Sequence, residues 1–285
     1  MIVHTHPHTI IVASNESIRI VAFGDVHYGA SGCNVRRFEE NVIAANADDP
    51  NAYFLDMGDS FDMITVKDWR YRPHEVAEHL RGREDIVDAQ VEGLANLWAK
   101  YKIPQHRFLG KLHGNHEDTI LRDSGSNPTE RYCYLTKQRN LGYCAYLRLK
   151  FRRKGSGTKR QVVFYLHHGF AGGRKSGSSV NSYTDHSLLH QGVDVFLYGH
   201  NHRKWAQRVA RPRPNWDFHE QDDTSTIIGN TGTYLMTIGN DVAPGYAEKK
   251  GFPCVELGHL EVVATLTRNR VGKKEREWID LRVVE

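Results

Sequence analysis

The chain has 285 residues and a mass of 32.6 kDa, enough to bury a sizeable core without disulfide staples. Hydrophobic residues are 39% and charged residues 25%, a balance that excludes a disordered chain. No apolar run reaches the ~18 residues of a helical membrane span, so no membrane partner is expected. The net charge of +4 and the pI near 8.8 are compatible with an anionic partner without requiring one. Met1 to Ile10 lacks the basic and apolar regions of a secretory signal. Cys33, Cys133, Cys144 and Cys254 form no CxxC pair, and together these features set an expectation of a reduced, cytoplasmic setting.

In chain order, Thr9 to Ser14 and Ile18 to Phe23 read as strands around an Asn-Glu-Ser turn, an opening hairpin. Short apolar runs follow at Tyr53 to Met57, Arg107 to Leu112, Val162 to Leu166 and Val193 to Tyr198, the pattern of strands buried on both faces. Helical stretches lie between them at Asn34 to Ala47, His74 to Tyr101 and Asn181 to Gln191, which gives an α/β fold. After Ile227 the pattern turns to strands, a mostly antiparallel tail that completes a second sheet. The expected organisation is a single domain over 1–285, with an insertion at 62–101 and a β-rich C-terminal part from 227.

Each apolar run ends in residues of metal-ligand type: Gly24-Asp25-Val26-His27, Gly58-Asp59-Ser60-Phe61-Asp62, Gly114-Asn115-His116-Glu117, His167-His168-Gly169 and Gly199-His200-Asn201-His202. Sites in open α/β folds assemble at the carboxyl ends of strands, so five loops are expected to converge. The set is Asp, Asn and His without cysteine, which suits manganese, iron or zinc rather than a thiolate site. The glycines before Asp25, Asp59, Asn115 and His200 are expected to permit tight turns.

The order DxH, GDxxD, GNHE, HG, GHxH resembles the calcineurin-like metallophosphoesterase superfamily over Asp25 to His202, phage and bacterial members included. The resemblance implies a four-layer α-β-β-α sandwich with two mixed β-sheets. It also implies two divalent metal ions, manganese first, with iron, zinc, nickel or magnesium as alternatives. Asp25, His27, Asp59 and His202 would hold the first, and Asp59 would bridge to the second, which takes Asn115, His168 and His200. His168 is preferred to His167 because the family ligand immediately precedes the glycine. Asp59 and His116 are the catalytic candidates: Asp59 as the bridge beneath a metal-bridging hydroxide, His116 as the group that assists departure of the leaving oxygen. Met63 and His113 stand where the protein Ser/Thr phosphatase branch carries arginines, which argues against that activity.

The expected function is hydrolysis of phosphodiesters, with DNA or RNA as the first candidate partner. The alternative is a phosphomonoesterase or pyrophosphatase acting on nucleotides or other small esters, and an inactive binding scaffold is the third reading. Arg174 and Lys175, in a glycine-rich loop, and Asn115 are candidate substrate contacts. Arg148 to Arg160 holds seven Lys or Arg and no acid, and Arg203 to Arg213 is a second basic cluster with Trp205 and Trp216 nearby. Either suits a nucleic-acid backbone or a solvated surface. Trp69 to Pro73 reads as a substrate lid or a packed loop, Asp62 as orienting its own loop, His113 as core, and the alternating His4, His6 and His8 as one face of a terminal strand.

Overall fold

The computed structural model describes residues 4–13, 15–155, 159–170, 175, 177–215, 220–222, 224–238, 246–271 and 274–285. In chain order the elements are β1 (His4–Val12), β2 (Ser17–Phe23), α1 (Val35–Phe38), α2 (Ala45–Ala47), β3 (Ala52–Asp56), α3 (Ile86–Ala99), β4 (Phe108–Lys111), α4 (Asn115–Ser124), α5 (Pro128–Thr136), β5 (Cys144–Arg153), β6 (Lys159–His167), α6 (Gly177–Ser187), β7 (Val195–Tyr198), β8 (Lys204–Ala210), β9 (Arg213–Asn215), β10 (Glu220–Asp222), β11 (Ser225–Thr231), α7 (Tyr246–Lys249), β12 (Leu260–Val271) and β13 (Lys274–Val284). A π-helical stretch, Glu39–Ala44, joins α1 to α2.

Two mixed sheets form. One has the order β1-β5-β6-β7-β11-β8, the other β13-β12-β2-β3-β4. Their inner faces make the central core: Ile10, Leu147, Leu149, Phe164 and Leu197 from the first sheet meet Ile18, Ile20, Leu55, Val262 and Leu266 from the second. Val21, Phe23 and Phe54 on the outer face of the second sheet pack with Phe38 of α1, Val91, Leu94 and Trp98 of α3, and Tyr132 of α5. Tyr165, Phe196 and Tyr198 on the outer face of the first pack with Tyr183 of α6. The result is the four-layer α-β-β-α arrangement, each layer burying one apolar face against the next.

The expected opening hairpin does not form. β1 pairs in parallel with β5, whereas β2 pairs with β3 and β12 in the other sheet. Ile10 and Val12 face Ile18 and Ile20 across the core instead of lying beside them. Apolar alternation is the same for a ladder neighbour and for a strand of the facing sheet, so the sequence pattern could not separate the two. The helix expected from His74 begins only at Ile86; Pro73–Glu75 and Glu78–Leu80 are single 3-10 turns, and Gly82 adopts a left-handed φ of 73°. Helices α4 and α5 differ from the expected elements: the first turn of α4 is made of the GNHE residues themselves, and α5 follows after a short turn. The C-terminal tail divides: β12 and β13 complete the second sheet, whereas β11 sits between β7 and β8 in the first. The basic stretch from Arg148 forms the ends of the antiparallel pair β5 and β6, with Arg152 opposite Lys159.

Strands β2, β3 and β4 are mutually parallel, as are β6 and β7. Their carboxyl ends therefore lead into the five motif loops. One buried cation ties the segment before β4 to the α2–β3 connection. Arg107 donates from Nε to the Ala52 carbonyl (2.7 Å), from Nη1 to Ala47 (2.6 Å) and from Nη2 to Asn46 (2.6 Å), while its guanidinium lies 5.3 Å from the Phe54 ring centroid. It satisfies the carbonyls at the end of α2 and the start of β3 together. Arg107→Met leaves those carbonyls without a donor and is expected to lower the unfolding free energy by about 3 kcal/mol in urea denaturation. A loss below about 1 kcal/mol would show that the clamp adds nothing to stability.

Candidate metal centre

The five loops meet at the carboxyl ends of strands from both sheets. Asp25 follows β2, Asp59 follows β3, Asn115 opens α4 after β4, His168 follows β6 and His200 follows β7. Backbone bonds tie the loops: the Asp25 N–H donates to the Gly58 carbonyl (2.9 Å), His27 to Asp59 (3.1 Å) and Gly199 to His168 (2.7 Å). The ring of His168 spans the sheets by donating from Nδ1 to the Met57 carbonyl at 2.9 Å, and Asp25 Oδ2 accepts from the His200 N–H at 2.8 Å.

Asp25, His27, Asp59, His200 and His202 all adopt left-handed backbone, with φ of 50°, 52°, 49°, 67° and 62°. The conformation costs a non-glycine residue about 1 kcal/mol, and five cases at one place are a functional signature. The preceding glycines mostly serve a different purpose from the tight turns expected of them. Only Gly58 has a positive φ, 95°. At Gly114 a Cβ would lie 2.1 Å from Asp59 Oδ1 and 2.2 Å from Asp59 N, so glycine is required for close approach.

Three overlapping groups bring their ligand atoms within 4.8 Å of one another: Asp25, His27 and His202; His27, Asp59 and His116; Asp59, His168 and His200. His168 Nε2 is 3.0 Å from Asn115 Oδ1 and 3.3 Å from Asp59 Oδ2. His27 Nε2 is 3.2 Å from His202 Nε2, which is 3.4 Å from Asp25 Oδ1. Every sequence-predicted ligand is thus brought to one place. Asp25, His27, Asp59 and His168 are buried, and His202 is 29% exposed.

The residues fit divalent cations. Their lone pairs point at one another, and among the described residues buried Asp25 Oδ1 has no hydrogen-bond partner. Isolated buried carboxylates are costly unless positive charge joins them. Burial would strip the proton from His168, but Asp59 outweighs it and raises that ring to about 9. Burial, then the neighbouring imidazoles, hold His27 and His200 below the usual histidine value, leaving lone pairs free to coordinate.

His116 sits at the edge of this cluster. Its Nδ1 donates to the Asp62 carbonyl at 2.5 Å, which fixes the tautomer and turns Nε2 to the site. Burial opposes its protonation, yet Asp59 and Asp62 raise its pKa. Asp62 also places Oδ1 3.5 Å from His27 Nδ1, so it orients two histidines as well as its own loop. His167 turns away into Tyr165, Phe170 and His186. His113 bonds Thr129 at 2.8 Å, a core contact. Arg174 lies outside the described residues; Lys175 is exposed, its carbonyl accepting from Arg203 at 2.9 Å. Among the described residues, no metal-ligand group involves His4, His6 or His8.

Three positions that the sequence reading gave no individual role make contacts at or beneath the site. Glu117 accepts from the backbone N–H groups of Gly114 (3.0 Å), Asp59 (3.2 Å) and Ser60 (3.0 Å). Lys111, wholly buried, reaches Glu117 Oε1 (3.2 Å), Asp56 (3.4 Å) and Ser60 Oγ (2.5 Å). A lysine in the otherwise apolar run Phe108 to Leu112 was the available signal, since such a charge needs acidic partners. The third is Arg70, from the insertion, with Nη1 3.5 Å from His116 Nε2.

No protein-family model and no curated protein matches the chain. It is similar to solved structures of GAP50, the anchor in the inner membrane complex of Plasmodium (12% identity, 94% of this chain and 84% of that chain, TM-score 0.43). It is also similar to a conserved uncharacterized protein described as a predicted phosphoesterase from Streptococcus pneumoniae TIGR4 (12%, 93% and 99%, TM-score 0.29), and to a metallophosphoesterase from Sphaerobacter thermophilus (12%, 94% and 89%, TM-score 0.32). Likenesses of this size do not bear on activity, so the functional reading rests on the site itself.

Glu117→Gln tests the scaffold beneath the site. An amide cannot accept at all four positions where the carboxylate does, and it leaves Lys111 with one carboxylate. The expected destabilisation is about 3 kcal/mol, with loss of metal affinity. Unchanged denaturation midpoint and metal stoichiometry would remove Glu117 from this role.

Proposed function

We propose that the protein is a two-metal phosphoesterase that hydrolyses phosphodiester bonds. The observation that supports this most directly is the set of three overlapping Asp/His groups, joined through Asp59 and His27. The motif order of the calcineurin-like metallophosphoesterase superfamily supports it independently. Asp25, His27, Asp59 and His202 would hold one cation, and Asp59, Asn115, His168 and His200 the other. Bound divalent cations supply charge neutralisation for a phosphoryl group and acidify water for attack.

The chain's own residues do the rest. Asp59 Oδ1 accepts from the His116 N–H at 2.9 Å, so the proposed bridging carboxylate also caps the start of α4 and cannot swing away. His116 faces the site through Nε2 and would hold or deliver the proton at the leaving oxygen. The left-handed turns aim the ligand side chains before substrate arrives, which is preorganisation in the backbone.

A small phosphate ester, whether diester, nucleotide or pyrophosphate, competes strongly with nucleic acid as the substrate. β6 runs nine residues from Lys159 to His167, about 26 Å at ~3.3 Å per residue. The basic hairpin therefore sits at the far end of the sheet from His168. In the second basic cluster, Lys204 pairs with Glu256 (3.1 Å), Arg208 with Ser225 (2.9 Å) and Arg211 with Ser187 (2.7 Å). Cations already partnered within the protein contribute less to binding a phosphate backbone.

Protein stripped with a chelator and reloaded with Mn²⁺ is expected to hydrolyse a nitrophenyl phosphodiester, and Asp59→Asn to abolish this. Turnover by the stripped protein, or near-normal turnover by the variant with two metals bound, would overturn the reading. Parallel assays on the monoester, on nucleotides and on labelled single- and double-stranded DNA decide the substrate class. His116→Ala is expected to slow ester cleavage by 10²–10⁴-fold, most with poor leaving groups, at unchanged metal content. Equal losses across leaving groups would remove its proton-transfer role.

A further inference from the structure

We infer that Arg70, carried into the site by the insertion, grips a phosphoryl oxygen of the substrate together with His116. This rests on the phosphoesterase reading and adds a contact that the five motifs do not contain. Where the protein Ser/Thr phosphatase branch has arginines, this chain has Met63 and His113, and His113 is committed to Thr129. The guanidinium comes instead from a different segment.

The arm is built for one orientation. Asp68 takes Arg70 Nη2 at 2.8 Å and Nε at 3.1 Å, and it also accepts the Arg70 N–H at 2.8 Å. Two of the guanidinium nitrogens are thereby fixed, and Nη1 remains aimed at His116 Nε2, 3.5 Å away. That distance is too long for a strong bond, and the partner is a weak one for a guanidinium. A phosphate oxygen between the two groups would satisfy both, with charge-assisted geometry that only arginine supplies in this form. The segment is anchored rather than loose. Asp68 N–H bonds the Thr65 carbonyl and Tyr71 N–H the Asp68 carbonyl, both at 2.9 Å. Tyr71 packs on Val76, Leu80 and Ile86, and Ser31 N–H and Ala77 N–H tie the insertion to the Gly29–Ser31 loop at 2.7 and 2.8 Å. Arg70 is 25% exposed and so within reach of solvent, whereas its neighbour Trp69 is 77% exposed. The insertion expected to act as a lid or a packed loop thus delivers a cation.

The test compares Arg70→Ala, Arg70→Lys and Asp68→Asn in Mn²⁺-loaded protein. Arg70→Ala is expected to weaken inorganic phosphate binding, read by calorimetry, at least 10-fold and to lower kcat/KM about 100-fold, with metal content and melting temperature unchanged. Arg70→Lys keeps the charge but not the fork, and Asp68→Asn frees the fork, so both are expected to fall between. Free guanidinium ion is expected to restore turnover in Arg70→Ala and not in His116→Ala. Phosphate affinity and turnover like wild type in Arg70→Ala, or a loss that guanidinium does not rescue while melting falls, would overturn the inference and leave the phosphoesterase reading intact. Wild-type protein that binds two Mn²⁺ but hydrolyses no ester would overturn that reading, and the role of Arg70 with it.

Discussion

The site depends on one buried carboxylate. Glu117 receives three backbone N–H groups from two different loops, Gly114 on one side and Asp59 and Ser60 on the other, and Lys111 neutralises it from below. A carboxylate and an ammonium buried together are costly to desolvate and rarely add net stability. Here their value is positional. Each lone pair of Glu117 is used by a group whose place determines where Asp59 and Asn115 point. Asp56 and Ser60 close the network through Lys111, so the turn after β3 and the start of α4 move as one unit. Removing any member leaves a buried charge or donor unmatched.

Above this network, the cluster is electrostatically unfinished. Lone pairs of Asp59, Asn115 and His168 converge within about 3 Å of one another, as do those of Asp25, His27 and His202. The left-handed backbone at five of the seven proposed ligands adds strain of the same sign. Such an arrangement persists because the surrounding loops over-determine it: Gly58 and Gly114 leave no room for another packing, and both sheets bond across the gap through His168 and His200. The buried carboxylates call for positive charge, and Asp59 draws the His168 pKa upward for that reason. Divalent cations would meet that need in full, which links the energetics of the fold to the proposed chemistry.

The strands that carry the motifs were legible because each is short, apolar on both faces and closed by a turn, a pattern with one reading. The convergence of the five loops was legible for the same reason: chemically similar clusters at strand ends gather at one edge of an α/β sheet; the individual ligands came from the family resemblance. The hairpin at the N-terminus was misread because alternation reports burial and not the partner. The start of α3 was misread because the charged turns before it share helical composition without helical backbone. α4 was missed because its first turn is made of site residues whose helix propensity is ordinary.

From residue types and strand-end spacing the sequence indicated that five loops rich in Asp, Asn and His converge, since ligand chemistry is local; the resemblance to the calcineurin-like superfamily singled out Asp25, His27, Asp59, Asn115, His168, His200 and His202 within them. Tertiary structure alone decided what supports and completes that set. Glu117 and Lys111 act through backbone groups far from them in sequence, and Arg70 reaches His116 from an insertion with no motif of its own. It also decided that the basic hairpin lies at the opposite end of the sheet from the site. Those outcomes depend on which loops come into contact, and contact between distant segments is set by packing rather than by any local pattern.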